Sequence, residues 1–511
     1  MANPLSSAAE VGVIGAGAMG AGIAQIAAQA GHRVHLFDNR MGAADQTKAR
    51  LGETLAALAA KGKLDRAAAD AAASRIVVVH ALGDLVSARL VIEAIVEDLE
   101  IKRKLLRELE VIVAPDAILA SNTSSLSITA LAAGMKHPGR VVGMHFFNPA
   151  PVLPLVEVIS GLATDLQVAD AVYATAQAWG KVPVHATSTP GFIVNRCARP
   201  FYGEALRLLG ERATDPATID AIMREAGAFR MGPFELMDMI GHDVNFAVTK
   251  SIWEAYFHDP RFTPSVLQQE LVAAGYLGRK SGRGYFAYGP DATKPPPQTM
   301  PAQARPARIR VMGESPMTTG LRERLAVSGF DIPPMPVDAA IAPSYLTVDD
   351  ALLVPCDGRT ATAIAAGCGQ RDVVVFDLAH DYRKCSRLAL AAADSCSVPA
   401  VGAVAGALQA AGIAVSRVDD VAGLVVMRTL AMLANEAADA VTQGIASARD
   451  VDLAMRDGVN YPRGPLGWAD AIGLRHLSTV LRNLAEHYGE DRYRISPLVA
   501  RRCAANGKLG E

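Results

Sequence analysis

A glycine-rich turn between a short apolar run and an Ala-rich segment constrains this chain more than any other feature. Residues 11–14 are Val-Gly-Val-Ile, Gly15-Ala-Gly17-Ala-Met-Gly20 follows, and residues 21–30 carry a helical pattern. In that setting the first glycine permits the tight turn and the second lets backbone approach a pyrophosphate. The third lets helix and strand pack closely. The helix N-terminus adds free N–H groups and partial positive charge. A second strand at 34–37 ends in Asp38, eighteen residues after Gly20, where a carboxylate can hold ribose hydroxyls. A carboxylate there repels a 2′-phosphate, which favours NAD over NADP, although Arg40 stands close by.

Alternation continues downstream. Strands are read at 75–79, 90–94, 118–120 and 141–144, with a charged helix at 99–113. Strands alternating with helices imply a doubly wound parallel sheet. From Thr189-Pro-Gly191 onward the patterns are helical, and a Pro-rich stretch (Pro295-Pro-Pro297, Pro301, Pro306) reads as a semi-rigid spacer. The length of 511 residues suggests three or four domains at ~150 residues each. The division read from the chain is an NAD-binding Rossmann-type domain at 1–188 and an all-α domain at 189–290. A linker at 291–307, a degenerate Rossmann-type domain at 308–418 and a second helical domain at 419–511 complete it.

Composition removes several function classes. Half the residues are hydrophobic and 20% are charged, which excludes a disordered chain. A net charge of −2 offers no field for nucleic acid or an anionic membrane. The apolar stretch at 401–415 is too short to span a bilayer, and the N-terminus lacks the segments of a signal peptide. Six cysteines lie scattered without a C-x-x-C pair, so neither a disulfide framework nor a metal site is expected. A cytoplasmic protein is the expectation.

The chain also repeats itself. At an offset of 298, Gly15 meets Gly313, Met19 meets Met317, Gly22 meets Gly320 and Gly31 meets Gly329. At an offset of 232, Gly191-Phe-Ile-Val-Asn-Arg196 falls on Gly423-Leu-Val-Val-Met-Arg428, and Gly232-Pro233 on Gly464-Pro465. Glu204, Asp220, Asp238 and Gly241 meet Glu436, Asp452, Asp470 and Gly473. The offsets differ by 66, so the second copy has lost about that many residues inside its sheet domain.

A second cluster is chemical. Ser121-Asn-Thr-Ser-Ser125 follows a strand, where open α/β sheets place ligands. His145 is read at the end of another strand, and Glu157 interrupts the apolar run Leu155-Val-Glu-Val-Ile159. A lone carboxylate in such a run is costly unless met by a partner, and a histidine at a sheet mouth supplies one. The two would form a pair suited to general acid–base work.

With these residues in place the chain resembles the L-3-hydroxyacyl-CoA dehydrogenase family. Ser-Asn-Thr-Ser-Ser, His-Phe-Phe-Asn-Pro, Leu-Val-Glu-Val-Ile, Gly-Phe-Ile-Val-Asn-Arg and Met-Gly-Pro-Phe-Glu-Leu occur in order between residues 10 and 288. The length and decayed second half are similar to those of its long members, the 3-hydroxyadipyl-CoA dehydrogenases of phenylacetate catabolism. The resemblance implies NAD-dependent oxidation of a 3-hydroxyacyl-CoA, with His145 as general base, Glu157 as its orienting carboxylate, and Ser124 and Asn195 on the reacting oxygen. It implies NAD contacts at Gly15, Gly17, Gly20, Asp38, Glu97, Lys102, Asn122, Asn148 and Lys280. Thr54 and Lys61 match CoA-contacting positions, with Thr in place of the usual Ser. A dicarboxylyl-CoA would need a basic residue at the acyl pocket, and Arg199, Arg207 and Arg230 are candidates.

Three other readings compete. A 3-hydroxybutyryl-CoA dehydrogenase shares every motif above. A β-hydroxyacid dehydrogenase would need a catalytic lysine on the first helix after the sheet, and residues 191–211 contain none. A non-catalytic NAD-binding scaffold would keep the glycines and lose the His/Glu pair, as the second half does. There Gly17 becomes Ser315, Gly20 Thr318, Asp38 Pro336, His145 Asp377, Glu157 Ala389 and Asn195 Met427. The second half is therefore expected to be a catalytically inert copy retained for packing. In the resembled family the helical domain makes the homodimer contact, which here implies an intramolecular pseudo-dimer, with further homo-oligomerisation left open.

Overall fold

The computed structural model describes residues 3–332 and 344–510, so Pro336 lies outside the described residues. Eight apolar runs form the first sheet: β1 (Glu10–Ile14), β2 (Val34–Phe37), β3 (Ile76–Val78), β4 (Ala88–Glu93), β5 (Ile118–Ser121), β6 (Val141–Phe146), β7 (Leu155–Ser160) and β8 (Val182–Thr187). Their order is β3-β2-β1-β4-β5-β6-β7-β8. The order reverses at β1, where a doubly wound sheet opens its ligand crevice. Strands β1 to β6 run parallel, but β7 is antiparallel to β6, which departs from the all-parallel expectation. Residues 147–154 are too few for a crossover, so the chain turns straight back. The core packs these strands against the helices Ala18–Gln29, Ala43–Ala60, Arg66–Arg75 and Leu166–Ala178.

The second sheet comprises β9 (Ile309–Met312), β10 (Tyr345–Val348), β11 (Ala351–Pro355), β12 (Val373–Phe376), β13 (Arg387–Ala392) and β14 (Ala414–Arg417), in the order β14-β13-β12-β11-β10-β9. Its β12 and β13 pair antiparallel in the register of β6 and β7: Val375 opposes Ala391 as Gly143 opposes Ile159. The Pro-rich segment lies along the β14 edge rather than spanning free space. Met300 N donates to Val415 O at 2.8 Å, and Ser416 Oγ donates to Gln298 O at 2.6 Å. Covering a sheet edge this way satisfies backbone groups that would otherwise recruit another strand.

The helical segments repeat in backbone detail. Gly232 and Gly464 each N-cap a helix that opens with proline, Pro233–Ile240 and Pro465–Ile472. Phe192 and Leu424 both take positive φ, 46° and 51°. The chain divides into two compact units that do not follow the copies. Residues up to Arg196 combine with Gln443–Val459, while Cys197–Thr442 combine with the residues from Asn460 on. A helix of the second copy, Ala448–Val459, is thus built onto the first sheet, packing on β7 and β8. Among the described residues no helix is long and apolar enough to cross a membrane, and no cluster of metal-ligating side chains occurs.

Candidate active site

The glycine-rich turn leaves β1 at the switch point. Gly15 has φ +101°, and a Cβ on Gly20 would lie 1.8 Å from Gly15 O, so neither position accepts a side chain. A Cβ on Gly17 would meet nothing within 4 Å, and the helix Ala18–Gln29 has no side-chain cap. That combination, an open backbone edge and uncapped N–H groups, fits a pyrophosphate. Asp38 Oδ2 accepts from Ala16 N at 2.8 Å, and its Oδ1 accepts from Arg40 N and Nε at 2.9 and 3.1 Å. Burial acts to raise the Asp38 carboxyl, but the Arg40 and Ala16 hydrogen bonds prevail and hold it below the ordinary value. The second copy lacks this cradle. Ser315 Oγ accepts from Thr318 N at 3.2 Å, so the equivalent helix Pro316–Val327 is capped by its own side chain.

His145 lies inside β6, not at its end, and its cross-strand partner on β7 is Glu157. The pairing follows from antiparallel register, which sets both side chains on one face. His145 Nδ1 and Glu157 Oε2 are 2.7 Å apart, with 5% of the histidine and none of the glutamate exposed. Glu157 Oε1 accepts from the backbone N–H groups of Ile193 and Val194 at 3.0 and 2.9 Å. A carboxylate can only accept, so Nδ1 carries the proton and Nε2 presents its lone pair. Phe147 and Phe192 flank the imidazole at centroid distances of 4.5 and 6.0 Å.

The Ser-Asn-Thr-Ser-Ser loop is held by Glu97. Its Oε1 accepts from Thr123 Oγ1 at 2.7 Å, Ser124 N at 2.8 Å, Ser125 N at 3.1 Å and Ser124 Oγ at 3.2 Å. Burial acts to raise the Glu97 carboxyl, but the Thr123 hydroxyl, Lys102 and these amides hold it below its ordinary value. Lys102 is 1% exposed, with Nζ 2.8 Å from Glu93 and 3.4 Å from Glu97, so its ammonium faces protein carboxylates. Asn122 Oδ1 accepts from Phe146 N at 2.9 Å and ties β5 to β6. Asn195 Nδ2 donates to Ser124 O at 3.4 Å, joining this loop to the short helix Val194–Cys197, whose first residue, Val194, donates its amide to Glu157. Asn148 is exposed in the loop after β6.

The remaining expected residues stand on other elements of the fold. Thr54 is exposed on the helix Ala43–Ala60 and donates to Arg50 O at 2.8 Å, and Lys61 caps that helix's C-terminus. Lys280 belongs to the other unit and pairs with Asp243 at 2.5 Å. There Arg207 pairs with Glu490 at 2.9 Å, Arg199 is buried against Tyr202 and Thr249, and Arg230 is exposed. Sequence reasoning missed the Ile193 and Val194 amides, because a backbone group leaves no mark in the residue pattern. It also missed Gln443–Val459, whose place depends on packing across the whole chain.

The NAD-binding domain model of 3-hydroxyacyl-CoA dehydrogenase matches residues 10–189, and the C-terminal domain model matches twice over, at 191–288 and 423–511. The chain belongs to the 3-hydroxyacyl-CoA dehydrogenase family. It is an NAD-dependent oxidoreductase with a Rossmann domain, a helical domain and a second partial copy of both. A model of the 3-hydroxybutyryl-CoA dehydrogenase reduced Rossmann-fold domain covers residues 353–421, within the second sheet. This dehydrogenase is 42% identical to the 3-hydroxyadipyl-CoA dehydrogenase of Escherichia coli over 96% of its own length and 97% of that protein. A probable 3-hydroxybutyryl-CoA dehydrogenase of Deinococcus radiodurans is 43% identical over 54% of the chain and 99% of its own. The crystal structure of a 3-hydroxybutyryl-CoA dehydrogenase from Escherichia coli superposes with a TM-score of 0.88 at 40% identity, covering 98% of each chain.

Proposed function

We propose that this dehydrogenase oxidises the C3 hydroxyl of an L-3-hydroxyacyl-CoA with His145 as general base, a reading carried by the 2.7 Å contact between His145 Nδ1 and Glu157 Oε2. NAD, when bound, supplies the hydride acceptor. His145 Nε2 takes the hydroxyl proton, and Glu157 orients the ring and stabilises the imidazolium. Asn195 and Ser124 hydrogen-bond the reacting oxygen, a term of ~2–4 kcal/mol for each well-placed donor. Gly15, Gly17, Gly20 and Asp38 hold the dinucleotide, and the family resemblance adds Glu97, Lys102, Asn122, Asn148 and Lys280 as NAD contacts. Thr54 and Lys61 contact CoA. A 3-hydroxyadipyl-CoA substrate is favoured by the full-length likeness to the Escherichia coli enzyme of that name. A 3-hydroxybutyryl-CoA substrate is the alternative that the solved relative's name supports. The cytoplasm is the compartment that fits a balanced charge and six scattered cysteines without a C-x-x-C pair.

The second half is read as an inert partner in an intramolecular pseudo-dimer. Contacts occur in reciprocal pairs at the offset of 232, the mark of an isologous two-fold. Thr187 N donates to Ile445 O at 2.9 Å, and Asp419 N donates to Ala213 O at 2.9 Å. Arg196 Nη1 donates to Gln443 Oε1 at 2.8 Å as Arg428 Nη1 donates to Glu211 Oε2 at 2.8 Å. In the inert copy Asp377 replaces the catalytic pair: its carboxylate accepts from the amides of Val425 (3.1 Å), Val426 (2.8 Å) and Met427 (3.0 Å).

A panel of straight-chain and ω-carboxylated 3-hydroxyacyl-CoAs ranked by kcat/KM tests the substrate. His145→Gln tests the base: kcat should fall by ~10²–10⁴ with NAD affinity unchanged, and retention of more than about a tenth removes it from the mechanism. Calorimetry should count one NAD per chain; two sites would refute the inert copy.

A further inference from the structure

We propose that Gly458, in the second copy, is a positioning residue for the catalytic pair of the first. The inference rests on the reading of His145 and Glu157 as base and orienting carboxylate. Gly458 lies in the last turn of the helix Ala448–Val459, which packs on β7 and β8 within the catalytic unit. It is buried, and its φ is not in the left-handed region, so no backbone strain requires glycine there. Glycine inside a helix costs up to ~1 kcal/mol against alanine, and packing must offset that cost.

The packing is specific. A Cβ on Gly458 would lie 2.5 Å from Leu155 Cδ2 and 3.2 Å from Val194 Cγ2. Leu155 is fully buried at the start of β7, two residues before Glu157 and on the same face of the strand. Val194 supplies one of the two backbone N–H groups that hold Glu157 Oε1, at 2.9 Å. The bare helix backbone at Gly458 therefore rests on both supports of the carboxylate. From the same second-copy segment, Gln443 Oε1 accepts from Arg196 at 2.8 Å, one residue after Asn195. A side chain at 458 must push Leu155, Val194 or both, and the push is delivered to Glu157 and thence to the His145 ring.

The inert half supplies the contrast. At the offset of 232 the counterpart of Gly458 is Ala226, which is buried in the other unit, where the opposite position is held by Asp377 rather than a His/Glu pair. A methyl group is accommodated where no base has to be aimed. The inert copy thus contributes to turnover through the shape of one helix face, without touching substrate or cofactor.

The test uses the full-length enzyme with Gly458→Ala, Gly458→Val, Leu155→Ala and the double variant Gly458→Ala/Leu155→Ala, with His145→Gln in parallel. Gly458→Val should lower kcat by ~10–100-fold, the range expected when a catalytic group is displaced by about 1 Å. KM and the dissociation constant for NAD should stay within about twofold, since the glycine-rich turn lies across the sheet. Gly458→Ala should lose less, and Leu155→Ala in its background should restore kcat, because it removes the atom the new methyl meets. If Gly458→Val does not fold, the alanine variant and its rescue carry the test. Wild-type kcat in Gly458→Ala and any folded Gly458→Val, a parallel loss of NAD binding, or failure of the rescue overturns the proposal. Persistent activity of His145→Gln overturns instead the reading of the catalytic pair on which it rests.

Discussion

Replacing Glu157 by glutamine tests the proposed role of the His145–Glu157 pair most directly, because the substitution keeps shape while exchanging one acceptor oxygen, and the negative charge, for a donor NH2. Glu157 is fully buried and uses both oxygens: Oε2 for His145 Nδ1–H at 2.7 Å, Oε1 for the Ile193 and Val194 amides at 3.0 and 2.9 Å. An amide has one acceptor and one donor end. If its oxygen faces the two backbone N–H groups, its NH2 faces the ring, so Nδ1 must accept and the proton moves to Nε2. The base then carries a proton where it needs a lone pair. If the amide is turned over, the ring keeps its tautomer but two buried N–H donors face an NH2. At about 1–3 kcal/mol for each unsatisfied buried donor, that arrangement is costlier by about 2–6 kcal/mol. The wrong tautomer therefore dominates by roughly 30-fold to 10⁴-fold. The equivalent exchange in a Ser-His-Asp triad costs about 10⁴ in kcat, which sets the upper end. Initial rates followed by nicotinamide absorbance at saturating substrate should show kcat down by ~10²–10⁴. NAD affinity, read by fluorescence, should be unchanged. A kcat within about fivefold of wild type, or a change confined to KM, would refute the orienting role.

Three further outcomes follow from the same structure. Asp38→Ala should narrow the preference for NAD over NADP in kcat/KM, because it removes the acceptor at the ribose position and releases Arg40; an unchanged ratio would show that Asp38 does not select the cofactor. Arg428→Met should cost about 3–5 kcal/mol in denaturant unfolding, since it strips fully buried Glu204 and half-buried Glu211 of a buried guanidinium 2.8 Å from each; a loss below ~1 kcal/mol would refute it. Burial pushes the Asp377 carboxyl from 3.8 up to about 6, against the backbone amides that favour its charge. A raised acid contributes stability that is full below its ordinary value and lost as pH rises to about 6. Asp377→Asn has no charge to lose, so its unfolding free energy should gain on wild type across that window; a pH-independent difference would refute the assignment.

Much of this enzyme is legible in its sequence. The glycine turn, Asp38 and the places of the first six strands along the chain are written in local patterns, because backbone sterics and strand or helix periodicity act over a few residues. The His145–Glu157 pair was legible too, since a carboxylate in an apolar strand demands a partner. Spacings at the offset of 232 exposed the repeated helical domain. Tertiary structure alone decided the rest. Residues 147–154 force β7 antiparallel, which no single residue announces. Lys102, expected at the cofactor from the family resemblance, is buried with its ammonium beside Glu93 and Glu97. The passage of Gln443–Val459 into the unit of the first sheet depends on which distant faces fit together, and that is settled by shape and burial rather than by neighbours in sequence.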